Sequence, residues 1–156
     1  MTHSRYCLDT SALMDGWIRW YPHETFPALW HRIDQAIASG TLCAPDEVLR
    51  EIEKRDDSLH AWAKARTQLF VPIDDAIQLA VAQILGSYPT FVDNRRGRSQ
   101  GDPWVVALAQ VNSCTVVTAE KHATNGKAVK IPNVCDGLGV RHVSFLGMMR
   151  EQRWVF

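Results

Sequence analysis

The chain has 156 residues, 46% of them hydrophobic and 22% charged, with 17 basic residues balanced by 17 acidic ones. That length carries one domain with a sizeable core, expected over 1–156, and leaves little room for a second. The composition excludes a disordered or fibrous protein, and zero net charge excludes long-range steering toward nucleic acid, so any such binding needs a local basic patch.

No run reaches the ~18 apolar residues of a membrane span, and Met1-Thr2-His3-Ser4-Arg5 leads straight into a strand-like run without a leader pattern. A cytoplasmic location is therefore expected. Cys7, Cys43, Cys114 and Cys135 are widely spaced and form no CxxC pair. Three of them lie in or beside apolar strand-like runs, so they read as buried reduced thiols rather than zinc ligands.

The first predicted strand is Arg5-Tyr6-Cys7-Leu8, short and apolar like a buried parallel strand. Thr10 or Ser11 then caps a helix through Ala12, Leu13 and Met14, which Pro22 ends. A second helix runs from about Phe26 to Ala38, with Leu29, Trp30, Ile33 and Ile37 at helical spacing and Gly40 beyond its end. Leu42-Cys43-Ala44 is a second strand, and Pro45-Asp46 opens a helix whose apolar face is Val48, Leu49 and Ile52. Ser58 to Leu69 reads as one helix and Asp74 to Leu85 as another. A polar loop occupies the stretch between Tyr88 and Asp102, followed by an apolar helix from Pro103 to Val111. Cys114 to Thr118 is the best strand, rich in β-branched residues. The segment Val134 to Leu138, a strand Arg141 to Ser144 and a helix Phe145 to Gln152 complete the chain. Strands alternating with helices argue an α/β fold with a central parallel sheet.

Ligands of open α/β sheets collect outside the carboxyl ends of the strands. Asp9 follows the first strand and Glu120 follows the Thr115–Thr118 strand, so both fall on one sheet edge. Asp102 heads the apolar helix, where taken alone it reads first as a helix cap. Glu51 lies on the helix opened by Pro45, where pairing with Arg55 is the plain alternative, and Glu47 stands one turn earlier on the same face. Asp9 itself reads either as a cap or as a cation ligand, since a carboxylate beside an apolar strand is costly unless paired, capped or metal-bound. Carboxylates converging in a cleft suit Mg²⁺ or Mn²⁺, hard ions that take oxygen ligands and can activate a water against a phosphodiester. The sequence shows no Ser-His-Asp set, Walker loop or GxGxxG. None of the six histidines is closely paired in sequence, so they read as surface or structural groups.

Four segments in order carry a resemblance. Leu8-Asp9-Thr10-Ser11-Ala12-Leu13, Pro45-x-x-Val48-x-x-Glu51-Ile52, Gly101-Asp102-Pro103-Trp104-Val105-Val106-Ala107-Leu108-Ala109 and Val116-Val117-Thr118-Ala119-Glu120-Lys121 resemble the successive motifs of PIN-domain proteins. The chain is also similar to a bacterial PIN-like family of unassigned function, related to VapC-like toxins. That family shares a His-Ala-Trp-Ala segment (here His60 to Ala63) and a Lys-Ile-Pro-Asn-Val-Cys-like segment (Lys130 to Cys135). The resemblance implies a three-layer α/β/α domain and Mg²⁺- or Mn²⁺-dependent cleavage of RNA, with a role as the toxin of a toxin–antitoxin pair. Carried across, Asp9, Glu51 and Asp102 are the main metal ligands and catalytic acids, and Glu120 is the fourth. Two departures stand out: the fourth acid is Glu where Asp is usual, and the polar loop His122-Ala123-Thr124-Asn125-Gly126-Lys127 after it is longer than a short turn.

Arg95, Arg96 and Arg98 precede Asp102, and Lys121, Lys127 and Lys130 flank Glu120. Guanidinium groups suit bidentate phosphate contacts. Thr10, Arg95, Arg96, Arg98 and Lys121 are the substrate-binding candidates, and a solvated loop is the plain alternative for either basic run. Trp17, Trp20 and Trp30 suit either base stacking or core and dimer contacts. Expected partners are RNA, a cognate antitoxin protein and a second copy of the chain, with no membrane. Two rival readings are a catalytically silent PIN-like module that binds RNA or protein, and a phosphoacceptor signalling domain. The latter lacks a paired acid beside Asp9.

Overall fold

The computed structural model describes residues 4–91, 102–124 and 129–156. Five short strands form one all-parallel sheet: β1 (Tyr6–Leu8), β2 (Leu42–Pro45), β3 (Phe70–Val71), β4 (Thr115–Val117) and β5 (His142–Val143). Their spatial order is β3-β2-β1-β4-β5. Tyr6 pairs with Leu42 on one side and Thr115 on the other, which puts Asp9 and Thr118 side by side at one edge. The direction of strand addition reverses between β1 and β4, and such reversal points open a crevice at the carboxyl ends of the strands.

Eight α-helices appear among the described residues: α1 (Thr10–Asp15), α2 (Pro27–Ala38), α3 (Asp46–Glu53), α4 (Asp57–Lys64), α5 (Asp75–Ser87), α6 (Asp102–Asn112), α7 (Ile131–Leu138) and α8 (Phe145–Glu151). They flank the sheet in a three-layer α/β/α arrangement of the PIN type. Parallel strands covered on both faces carry unbroken apolar side chains, as Tyr6, Cys7, Leu8, Val116 and Val117 do here. All four cysteines are buried and free, as expected. Burial and the charges of Asp136, Asp9 and Glu120 push the Cys135 thiol up to about 12, so it stays protonated.

Three expectations are corrected. Neither Thr10 nor Ser11 caps the first helix: Asp9 does, accepting from the Ala12 amide. That helix also does not run unbroken to Pro22, because a π-helical turn takes over from Gly16 to Trp20. There a Cβ on residue 16 would come within 3.1 Å of the Phe145 ring, so glycine lets the chain pass close. The expected helix from Ser58 to Leu69 stops at Lys64, and after a short 3₁₀ turn (Thr67–Leu69) the chain enters β3. The Arg66 guanidinium ends the helix by donating to the Trp62 carbonyl (2.9 Å) and to both oxygens of Asp34 (2.5 and 3.0 Å). This anchor frees Phe70 and Val71 to join the sheet edge beside Ala44 and Pro45.

The tryptophans divide. Trp30 is core, and Trp17 packs edge-on against it with ring centroids 5.0 Å apart. Trp62, from the His-Ala-Trp-Ala segment, closes the same cluster 5.1 Å from Trp30. Trp20 alone of the three singled out in the sequence is exposed.

Candidate active site

Asp9 is 1% exposed. Its Oδ1 accepts from the Ala12 amide (2.7 Å) and its Oδ2 from the Thr118 hydroxyl (2.5 Å), while the Ser11 hydroxyl lies 2.8–2.9 Å from both oxygens. These donors favour the carboxylate form, yet burial outweighs them and pushes the carboxyl up to about 7, with the Glu120 charge adding to the rise. A buried acid that is hydrogen-bonded as a carboxylate but still hard to ionise is one that a cation would complete.

Thr118 follows β4 and links Asp9 to Glu120. Its hydroxyl donates to Asp9 and accepts from the Glu120 amide (3.0 Å), and Ser11 Oγ accepts from the Ala119 amide (3.0 Å). The turn that carries Glu120 is thereby fastened to Asp9. Glu120 has a second task that sequence alone did not show: its Oε2 accepts from the Ile131 amide (3.0 Å) at the start of α7. Asn133 assists, its Oδ1 accepting from the Ala123 amide (3.0 Å) and the Lys130 amide (3.2 Å). The Lys-Ile-Pro-Asn-Val-Cys segment is thus the seat of the fourth acid.

Asp102 is buried at the first residue of α6. This helix leads into β4 from the opposite edge, so its beginning lies on the carboxyl edge with Asp9 and Thr118. Glu51 is half-buried on α3, five residues beyond the helix start and about 7–8 Å along its axis. Glu47, one turn earlier on α3, is likewise half-buried and pairs with Arg50. Thr10, expected to touch substrate, is buried, and its hydroxyl has no hydrogen-bond partner. Arg95, Arg96 and Arg98 lie outside the described residues, as does Lys127.

A cavity of about 500 Å³ opens next to the residues that bond Asp9, with none of Asp9, Glu51, Asp102 and Glu120 in its wall. Ala12 and Thr118, both bonded to Asp9, form part of its wall. Lys121 lines it with Arg19, which pairs with the Asp15 carboxylate in the same wall (3.7 Å), and Trp20, Tyr21 and Phe145 supply aromatic surface. Lys121 was expected at the site and Trp20 was a candidate stacking surface; Arg19 joins them through the π-helical turn, which no sequence pattern announced.

Two of the histidines, read from sequence as surface or structural groups, share a partner. His122 and His142, far apart in the chain, both reach Asp136.

The strand order and its reversal point give the chain an α/β fold of the PIN type. The fold is similar to FitAcB from Neisseria gonorrhoeae (TM-score 0.50, 15% identity, 88% of this chain and 95% of that one covered). It is equally similar to FitAB bound to an IR36 DNA fragment (TM-score 0.51, 15% identity, 89% and 94%). A third likeness is VapBC2 from Rickettsia felis bound to a DNA fragment from its promoter (TM-score 0.51, 13% identity, 90% and 98%). No curated protein matches the sequence. Residues 6–156 match the family described as "Domain of unknown function (DUF4411)", and the chain belongs to that family. Among the described residues no helix is long and apolar enough to cross a membrane.

Proposed function

We propose that this protein is a cytoplasmic, metal-dependent endoribonuclease and the toxin of a toxin–antitoxin pair. The observation that carries the reading is the buried Asp9 carboxylate, tied through Thr118 to Glu120, near a cavity lined by Lys121, Arg19, Asp15 and three aromatic rings. Asp9, Asp102 and Glu51 would hold Mg²⁺ or Mn²⁺, with one oxygen of Glu120 as the fourth ligand. Oxygen-only donors suit these ions. The unpartnered hydroxyl of Thr10 and the raised Asp9 carboxyl both fit a site that gains polar contacts when filled. A bound ion supplies Lewis acidity and a hydroxide-like water at neutral pH.

The chain's own residues do the rest. Ser11 and Thr118 hold the Asp9 oxygens in place. Lys121 and Arg19 line the cavity as contacts for the phosphodiester, and Trp20 and Phe145 offer surfaces for a base. FitAB and VapBC2 were both captured on DNA. Their fold likeness supports a partner here that binds promoter DNA while restraining the nuclease, and a second copy of the chain would complete such an assembly.

The test is incubation of purified protein with mixed RNA. Cleavage with Mg²⁺ or Mn²⁺ that stops on chelation is the expected result, with Lys121→Ala and Arg19→Ala raising KM more than they lower kcat. RNA binding without cleavage at any metal concentration would instead favour the silent module.

A further inference from the structure

We propose a second metal site, of different chemistry, on the outer side of α7: His122, Asp136 and His142 bind one borderline transition-metal ion of the zinc type. This inference is independent of the nuclease reading. The three residues come from three separate elements, namely the segment after β4, α7 and β5. Each offers one ligand atom, and these atoms all lie within 4.8 Å of one another. His122 Nε2 is 2.6 Å from one Asp136 oxygen and His142 Nε2 is 3.0 Å from the other. The two imidazole centroids are 5.5 Å apart at 69°, an edge-on arrangement that aims both Nε2 atoms at the same carboxylate.

The ligand set selects the ion. Two imidazoles and one carboxylate suit zinc, cobalt or nickel, whereas magnesium and calcium prefer oxygen alone. Tetrahedral zinc with bonds of about 2.0–2.1 Å needs ligand atoms about 3.3 Å apart. The side chains of His122 and Asp136 are about half exposed, so the closing movement meets no packing barrier. Each imidazole would carry its proton on Nδ1 and present the Nε2 lone pair, and water would take the fourth position. Three protein ligands with an open fourth position are a normal zinc arrangement.

The ion would fix the segment that leaves β4. His122 follows Glu120 and Lys121 closely, and Asp136 lies one turn and more beyond Ile131, whose amide Glu120 already accepts. Filling the site therefore pins both ends of the path from Glu120 into α7, and transition-metal binding should raise the midpoint of thermal unfolding.

Titration of chelator-stripped full-length protein with Co²⁺ tests this by visible absorption and calorimetry. The expected result is one equivalent with d–d bands and no sulfur charge-transfer band. Binding should be retained in Asp9→Asn and weakened by more than about tenfold in His122→Gln and His142→Ala, a loss that even outer-sphere disturbance produces. Circular dichroism confirms that each variant is folded. His122→Gln, at an exposed position, keeps the test valid if His142→Ala does not fold. Unchanged affinity in the histidine variants, loss confined to Asp9→Asn, or a sulfur-to-cobalt band would each overturn the site, as would the absence of binding.

Discussion

At Asp9 two demands meet in one side chain. Its hydrogen bonds to Ala12, Ser11 and Thr118 require a carboxylate acceptor, and its burial opposes the charge. The folded carboxyl sits at about 7 against an ordinary 3.8. The folded protein therefore holds the proton more tightly than the unfolded chain does. The resulting stability is fully present below about pH 4 and is lost as pH rises toward 7. For metal-free protein this cost at neutral pH is on the order of a few kcal/mol. Asp9→Asn has no such charge, so urea unfolding should show the variant gaining on the wild type between about pH 4 and pH 7, the span between the unfolded and folded values. A stability difference that stays constant across that range would remove the buried-charge account. Thr118 and Ser11 could be placed near Asp9 from the sequence only as neighbours of motif acids. Their hydroxyls matter because parallel pairing of β1 with β4 sets residues 9 and 118 side by side.

Among the elements, α7 depends most on distant residues. Its first amide is satisfied by Glu120 rather than by its own flank, so the acid has a structural and a proposed metal-binding role. The two roles separate by substitution. Glu120→Gln keeps an acceptor for the Ile131 amide and should change stability by less than about 0.5 kcal/mol while lowering metal-dependent activity. Glu120→Ala leaves a helix-start amide without its partner and should cost about 1–2 kcal/mol in denaturant unfolding. Equal stability of the two variants would argue against the capping role. Further along α7, an added Cβ at Gly137 would meet the Tyr88 hydroxyl at 2.0 Å and its ring at 3.2 Å. Gly137→Ala should therefore destabilise by about 1–3 kcal/mol despite the better helix propensity of alanine, and truncating Tyr88 in the same chain should recover part of that loss. Additive losses in the double variant would show that the two residues do not compete for space. The short sequence pattern of α7 was legible only from Val134 onward, because Ile131 at its start is held by the distant Glu120 carboxylate rather than by any helical periodicity.

In the whole molecule, what could be read from sequence was what local pattern encodes. Apolar runs such as Tyr6–Leu8 and Thr115–Val117 announced buried parallel strands, and the residues after them share one sheet edge. What could not be read depends on distant segments meeting. β3 has two residues, too few to show any period, and exists because Arg66 stops the preceding helix on Asp34. Arg19 and Trp20 reach the cavity through a π-helical turn set by close packing at Gly16. His122 and His142 meet only because β5 lies next to β4 and α7 bridges them. The carboxylate edge and its cavity nonetheless form one connected surface, from Asp9 through Thr118 to Lys121. The most direct measurement is cleavage of RNA by purified wild-type, Asp9→Asn and Asp102→Asn proteins with Mg²⁺ or Mn²⁺. The account predicts metal-dependent cleavage by the wild type and a loss of about a hundredfold or more in both variants, the scale of removing several kcal/mol of transition-state stabilisation. Full cleavage by either folded variant would contradict it.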